Sequence, residues 1–149
     1  MQKPDHFDSK GKIQMADHTG KPVKLREAEA TGFIHMKSET VRLIKDNETE
    51  KGEIITIAEV AGMQAAKSTC QLIPLLHHSS PQYIEVKAYV FPNGIEVKSH
   101  IKAEGRSGIE MESLTAVSAA LLTLYEFCKN EDSSLVISDI KLSKKIIDE

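Results

Sequence analysis

The chain has 149 residues, 40% of them hydrophobic, which suits one compact domain with a substantial core and leaves little room for a second. Its 19 Lys and Arg residues against 22 Asp and Glu residues give a formal net charge of -3, which argues against broad binding to nucleic acid or to an anionic membrane. The N-terminal segment lacks the apolar stretch of a signal peptide, and no apolar run approaches the roughly 20 residues that span a bilayer. We therefore expect a soluble cytoplasmic protein.

The cysteine and histidine residues lack the spacing of a metal site. Cys70 and Cys128 are isolated, with no CxxC pair, so neither a disulfide framework nor a zinc site is indicated. His77 and His78 are adjacent in a predicted loop, which is not a helical metal-ligand spacing. We expect no metal cofactor, and we expect both cysteines to be buried as small apolar side chains.

The N-terminal part of the chain predicts an irregular arm, a strand and a short helix. Residues 1–22 are polar and contain turn-forming glycine and proline, so we expect no regular structure there. Residues 23–35 alternate weakly between apolar and polar side chains, which predicts a strand with a bulge near Gly32. Ser38 is expected to cap a short helix that ends at Lys45.

The rest of the chain shows clearer periodicities. Apolar residues at three- and four-residue steps predict two long helices, over 53–73 and 110–129. Strict alternation on either side of the sequence FPNG predicts a hairpin over 83–90 and 95–103. A last strand is predicted over 135–142.

This order of elements favours an α+β fold of the ferredoxin-like kind, with an antiparallel sheet and two long helices packed on one face. The domain is expected to span 23–149. Small residues of the first long helix, including Ala61 and Gly62, would let it approach the sheet or the other helix closely. The second long helix is expected to bury a stripe that includes Leu122 and Tyr125.

Several charged side chains have both an ordinary and a functional explanation. Glu126 and Lys129 lie three residues apart on a helix and can form a simple surface ion pair. Lys67 can extend outward from an apolar segment. His77 follows a proline in a loop, where it can be incidental or can donate to a phosphate. Glu112 lies in a first helical turn, where a carboxylate offsets the helix dipole.

The spacing of Glu112 and Glu126 limits how they can act together. They are fourteen residues apart on one predicted helix, hence ~21 Å apart by helical rise. Both cannot serve one small-molecule site within a single chain. If both are functional, either two sites exist or a pocket is assembled between subunits.

Two long segments, KGEIITIAEVAGMQAAKSTCQLIPLLHH and SGIEMESLTAVSAALLTLYEFCK, resemble the molybdenum cofactor biosynthesis protein C family, as do MADHT, LREAEA and MKSET. The resemblance runs in the same order from about residue 15 to residue 142. It implies a ferredoxin-like subunit assembled into a hexamer, a trimer of dimers, with the active site at a subunit interface. It also implies a lyase that rearranges the cyclised dihydro-GTP made by a radical-SAM partner into cyclic pyranopterin monophosphate and releases pyrophosphate.

The resemblance also assigns roles to residues of this sequence. By the family pattern the catalytic carboxylate is Glu126, with Lys129 as its partner and Lys51 as a further catalytic lysine. The positions that match substrate-binding residues are Leu75, Leu76, His77, Met111 and Glu112, and those that match phosphate or structural contacts are Lys67 and Arg26. Magnesium would enter only with the triphosphate, because no carboxylate cluster specifies it.

The sequence departs from the family pattern at a few positions. Glu126 stands where aspartate is usual, Leu76 and His78 alter the LIPLCHP segment, and Arg106 replaces a lysine. A catalytically weak homologue that binds a purine triphosphate as a sensor or partner protein is therefore the alternative. An RNA-binding ferredoxin-like module is disfavoured, because its strands would need paired aromatic residues and the net charge is negative.

Overall fold

The computed structural model describes residues 5–46 and 53–147 of the chain. Within these residues the chain forms four strands and three helices, and all bounds except those of the last strand agree closely with the prediction. The elements are β1 Lys24–His35, α1 Ser38–Lys45, α2 Ile54–Leu72, β2 Tyr83–Phe91, β3 Gly94–Gly105, α3 Glu110–Cys128 and β4 Val136–Ile147.

The sheet has the strand order β2-β3-β1-β4, and every neighbouring pair is antiparallel. Each long helix joins two strands that lie on either side of a third: α2 joins β1 to β2 across β3, and α3 joins β3 to β4 across β1. This is the ferredoxin-like arrangement. The predicted α+β class, with two long helices on one face of an antiparallel sheet, is confirmed.

The core lies between the two central strands and α3. Every second residue of β1 and β3 faces this helix, and these positions are small or aliphatic, as a pleated strand with one buried face requires. The inward residues with almost no exposure are Ala28, Ala30, Ile34, Ile95, Val97 and Ile101. Helix α3 contributes Val117, Leu121 and Leu124, which are fully buried.

The predicted buried stripe of α3 is wrong at two positions. Leu122 is 60% exposed and Tyr125 is 41% exposed. Successive residues of a helix point about 100° apart, so Leu122 lies to the side of Leu121 rather than beneath it. Leu122 and Tyr125 therefore form an apolar strip that faces outward near the end of α3.

Helix α2 approaches both α3 and the sheet at Gly62. A Cβ atom on this glycine would lie 2.8 Å from the backbone oxygen of Ala116 and 2.9 Å from Cγ1 of Val86, closer than real contacts allow. Ala58 and Ala66, one turn away on either side, are also buried. The close approach expected from the small residues is thus confirmed, and it is made along this one row of α2.

The first turn of α3 is fixed to the sheet by buried serine side chains. The hydroxyl of Ser99 on β3 donates to the carbonyl of Ser113 at 2.8 Å and accepts from the Ser113 hydroxyl at 2.7 Å. Both serines are buried. Because these bonds are shielded from water, they hold the start of α3 at a defined position over the centre of the sheet.

The cap of α1 differs from the prediction. Lys37 occupies the N-cap position and makes no side-chain capping bond, and Ser38 is already the first helical residue. The acceptor comes from the distant loop after α3, where Oδ2 of Asp132 accepts from the Lys37 amide and the Thr40 hydroxyl, both at 2.9 Å. A local sequence motif could not reveal a cap supplied from this far along the chain.

Strand β4 is longer than predicted, ending at Ile147 rather than near residue 142. Its register against β1 shifts twice, and one shift lies between Thr31 and Phe33, so the irregularity predicted near Gly32 is confirmed. Asp139 in β4 has φ 57°, in the left-handed region. These irregularities interrupt the alternation of side chains, which is why the sequence pattern hides the end of the strand.

The face of the sheet away from the helices carries aromatic residues, contrary to the expectation from the sequence that the strands lack paired aromatics. Phe33 and Phe91 lie with ring centroids 6.5 Å apart, and Tyr83 and Tyr89 are largely exposed on the same face. The expectation that the strands lack paired aromatics is therefore wrong. The tyrosines are accompanied by glutamates as well as lysines, so the face has no uniformly positive character of the kind that holds a nucleic-acid backbone.

The two cysteines are free thiols with different surroundings. Cys128 is buried, as expected. Cys70 is only half-buried, and its Sγ atom lies 3.4 Å from Nδ1 of His78. The expectation of two buried cysteines is correct for Cys128 alone.

We predict that Asp132→Ala lowers the free energy of unfolding by about 2 kcal/mol, because the α1 cap and the turn at Ser134 lose their common acceptor. Urea denaturation measures this loss. Glu131→Ala, which removes an exposed carboxylate next to it, should change the value by less than about 0.5 kcal/mol.

The acid dependence gives a second readout of the same carboxylate. Burial alone would raise the pKa of Asp132, but the bonds from Ser134, Lys37 and Thr40 outweigh burial and hold the pKa well below its ordinary value. This stabilisation is complete above the unfolded pKa of about 4 and is lost as the pH falls below it. Equal acid dependence in wild type and Asp132→Ala would contradict this role.

Candidate active site

A cavity of about 400 Å³ brings together four of the five predicted substrate-binding residues. Its walls come from the N-terminal arm, the loop that follows α2 and the first turn of α3. The predicted residues in these walls are Leu75, Leu76, His77 and Met111. Met111 lies more than thirty residues after Leu75 to His77 along the chain, so only the fold brings them to one place.

The loop after α2 is shaped by a proline and a strained backbone. Pro74 cannot continue the helix, and Ile73 before it is already extended. Leu75 has φ 67°, in the left-handed region that a residue with a branched side chain rarely adopts. Such strain is often found where a backbone is held in place for function. Here it turns the chain so that Leu75 to His77 face the cavity.

Glu112, the fifth predicted substrate-binding residue, follows Met111 in α3 and does not line this cavity. It is 1% exposed, and its Oε2 atom accepts a hydrogen bond of 2.8 Å from the Ser79 hydroxyl. Its Oε1 atom has no hydrogen-bond partner among the described residues. Burial raises the pKa of Glu112, and the bond from Ser79 opposes this only in part. The carboxyl group is therefore inclined to keep its proton more than a surface glutamate would.

Glu110, two residues earlier, lines the cavity, and its pKa is shifted in the opposite direction. Burial alone would raise its pKa, but the ion pair with Lys145 of β4, at 2.6 Å, and the hydrogen bond from its own backbone amide together outweigh burial and lower the pKa. Two carboxyl groups in one helical turn thus have pKa values moved apart by their surroundings. Such a pair can divide the roles of proton donor and acceptor.

The His77 side chain is held by the ring of His18, a residue that the sequence analysis did not predict to be functional. Its imidazole stacks on that of His18, with centroids 3.9 Å apart and planes 10° from parallel. Nε2 of His77 lies 2.5 Å from the carbonyl oxygen of Ala16, and Nδ1 of His18 lies 2.7 Å from the Ser107 hydroxyl. His18 belongs to the arm, which the sequence marked only as irregular, so no periodicity pointed to it.

A second cavity, of about 670 Å³, lies beyond this pair of rings. His18 and His77 line both cavities and so form part of the wall between them. The larger cavity also contains hydroxyl groups and a guanidinium, from Ser79, Ser80 and Arg106. Arg106, which stands where the family pattern has lysine, therefore lines this cavity.

Arg26 and Lys67, the predicted phosphate or structural contacts, line neither cavity. Arg26 on β1 donates from Nε to the carbonyl of Gly105 at 3.1 Å and from Nη2 to that of Arg106 at 3.3 Å. It therefore supports the loop that leads into α3. Lys67 is exposed on α2 and lines neither cavity.

Glu126 and Lys129 lie at the far end of α3. Their side chains form an ion pair of 2.8 Å and are 64% and 47% exposed. Within this chain they do not meet the cavity at the start of α3, because the helix separates them by ~21 Å. The third predicted catalytic residue, Lys51, lies outside the described residues.

Two further observations concern metals and membranes. In the part of the chain that the structure describes, His, Cys, Asp and Glu side chains form no group of three that could hold a metal ion. Nor is any of the described helices both long and apolar enough to cross a bilayer.

We predict that Ser79→Ala raises the pKa of Glu112 further, because the carboxylate loses the hydrogen bond that partly opposes the effect of burial. A carbon-13 NMR titration of the Glu112 carboxyl group measures this change. Ser80→Ala removes an exposed hydroxyl from the next residue and should leave the titration unchanged. An unaltered Glu112 titration in Ser79→Ala would show that the bond has no such effect.

Comparison with known proteins extends over most of the chain. The profile of the MoaC family matches residues 15–147. A cyclic pyranopterin monophosphate synthase of Desulfitobacterium hafniense is 40% identical over 141 residues, covering 94% of this chain and 86% of the relative. The synthase of Heliobacterium modesticaldum is 41% identical over 142 residues, covering 94% and 89%. With a cavity formed by the segments that carry this likeness, the chain belongs to the MoaC family.

Proposed function

We propose that this protein is a cyclic pyranopterin monophosphate synthase, which converts cyclised dihydro-GTP into cyclic pyranopterin monophosphate with release of pyrophosphate. The observation that carries this proposal is the single cavity formed by Leu75 to His77 and Met111 in a chain of the MoaC family. We further propose that the reaction takes place in the cytoplasm, where guanine nucleotides are available.

The cavity suits the ring system of such a substrate. The side chains of Leu75, Leu76 and Met111 provide apolar walls for a flat heterocycle. A guanine-derived ring presents several N–H groups, which need acceptors when they leave water. Glu112, whose Oε1 atom has no partner among the described residues, supplies an acceptor next to Met111. A site that leaves a buried acceptor unsatisfied until the ligand arrives discriminates against rings that lack those N–H groups.

The reaction needs groups that move protons and groups that stabilise negative charge. Opening and reclosing rings requires proton transfer to and from carbon, nitrogen and oxygen, which a carboxylate next to a lysine can divide between them. Glu126 and Lys129 form such a pair at 2.8 Å. Loss of pyrophosphate requires cations near the phosphates. By family pattern Lys67 and Arg26 match phosphate or structural contacts, and Lys51 matches a catalytic lysine. Any magnesium would enter bound to the triphosphate.

Because the catalytic pair lies ~21 Å from Glu112 along α3, we propose that the active site is shared between two subunits. The start of α3 from one subunit would face the end of α3 from another. The exposed apolar strip at Leu122 and Tyr125, next to Glu126, would be covered in this assembly. A hexamer built as a trimer of dimers, as the family resemblance implies, contains such interfaces.

The alternative is a catalytically weak homologue that binds the nucleotide as a sensor or partner protein. It rests on Glu126, where the family pattern has aspartate. The extra methylene moves the carboxyl group by about 1.5 Å, enough to slow proton transfer unless the backbone compensates.

We predict that the wild-type protein releases pyrophosphate and forms the pyranopterin from cyclised dihydro-GTP, and that Glu126→Gln lowers turnover at least about 100-fold. Both products should be followed together, beside Glu126→Asp. Glu131→Gln, a neutralised exposed glutamate outside the site, should keep full activity. Binding without products in the wild type, with activity appearing in Glu126→Asp, would establish the weak homologue instead.

We also predict that two inactive variants restore activity when combined. His77→Ala breaks the cavity half of the site and Glu126→Gln breaks the other half. Randomly mixed dimers would carry one intact site in each mixed pair, which restores about a quarter of wild-type turnover. Co-expression of the two chains with different tags tests this. Activity no higher than that of either variant alone would place the whole site within one chain.

A further inference from the structure

The stacked rings of His18 and His77 are held from both sides. The carbonyl of Ala16 can only accept a hydrogen bond, so Nε2 of His77 must carry its proton in the 2.5 Å contact. A neutral His77 therefore presents Nδ1 as its acceptor. His18 is fixed in turn by Ser107, whose hydroxyl lies 2.7 Å from Nδ1. Ala16 is 61 residues from His77 and Ser107 is 89 residues from His18, so the arrangement is tertiary.

Charged groups of both signs surround the stacked rings. Burial, followed by the proximity of His77, Lys21 and Arg26, lowers the pKa of His18, and Asp5 opposes this. The pKa of Asp17 is lowered chiefly by hydrogen bonds from Thr19 and also by both rings, so its carboxylate lies near them. Two positive charges on rings 3.9 Å apart would repel strongly in this partly buried setting.

The position of the pair gives it access to a ligand. Both rings line the smaller cavity, with Leu75, Leu76 and Met111, and both also line the larger cavity beyond. A ligand with a flat heterocycle in one cavity and a polar arm in the other would pass directly beside the two rings. His77 is the member of the pair already assigned to substrate by family pattern, whereas no role has been assigned to His18.

We propose that His18 is a positioning residue for substrate binding: its ring holds the imidazole of His77 fixed in the wall between the two cavities, with Nδ1 available to accept a hydrogen bond from the nucleotide-derived substrate. This inference rests on the proposed function. Stacking supplies the orientation, because parallel aromatic rings in contact resist rotation of either side chain.

The test uses three substitutions and a control. His18→Ala removes both the stack and the second titrating ring, His18→Phe keeps an aromatic ring without a charge, and Ser107→Ala keeps both histidines but loosens His18. His35→Phe is the control, since His35 lies on the other face of the sheet and bonds to Ser138 at 2.9 Å. For each variant, kcat and KM for cyclised dihydro-GTP are measured across pH. Nitrogen-15 chemical shifts of the His77 ring, without substrate, identify which ring nitrogen carries the proton.

We expect His18→Ala to raise KM about tenfold with a smaller effect on kcat, and His18→Phe to restore most of the affinity. The His77 ring should lose its single proton position in His18→Ala and in part in Ser107→Ala. The control should match wild type in every measurement.

The outcomes separate this inference from the proposed function. An active wild-type enzyme whose KM and His77 ring signals are unchanged by His18→Ala would overturn the inference alone. A shift of KM that His18→Phe does not rescue would also overturn it, because the effect would then not depend on the stacked ring. Absence of turnover in the wild type, with folded protein confirmed by the His77 signals, would overturn the proposed function and with it the substrate role of the pair.

Discussion

The position of the first turn of α3 is the constraint on which the site depends. Ser99 and Ser113 hold this turn to the central strand β3 through buried hydrogen bonds of 2.7 and 2.8 Å. Glu112 and Met111 directly precede Ser113, so their placement follows from the same anchor. The central pairing of β1 with β3 provides the surface for it, and the close approach of α2 at Gly62 brings the loop after α2 to the same end. A shift of this turn would separate the cavity walls.

The electrostatics of the site follow from which neighbour each carboxyl group finds. Glu110 forms an ion pair with Lys145 and its pKa falls, whereas burial of Glu112 outweighs the hydrogen bond from the Ser79 hydroxyl and its pKa rises. The two residues have the same chemistry and nearly the same place in the helix. Lys145 reaches Glu110 because β4 continues beyond its predicted end and runs beside β1. The length of β4 thus contributes to lowering the pKa of Glu110, which lines the cavity.

The arm and the histidine pair show how unpatterned segments can complete a site. Residues such as Ala16 and His18 have no periodicity, yet they line the cavity and contact His77. At the other end of α3, Glu126 and Lys129 form their ion pair on an exposed surface beside apolar side chains. One chain therefore presents two chemically distinct surfaces, one enclosed and one open. Under the proposed function, these two surfaces form one complete active site when subunits associate.

Sequence by itself determined the ferredoxin-like order of elements and most of their bounds, because alternation in the hairpin and three- and four-residue steps in α2 and α3 are local signals. It also identified Leu75 to His77 and Met111 through motif resemblance. Only the tertiary structure decided the cap that Asp132 supplies to α1, the length of β4, the outward orientation of Leu122 and Tyr125, and the stacking of His18 on His77. Each of these depends on contacts between distant segments, and local patterns carry no information about such contacts.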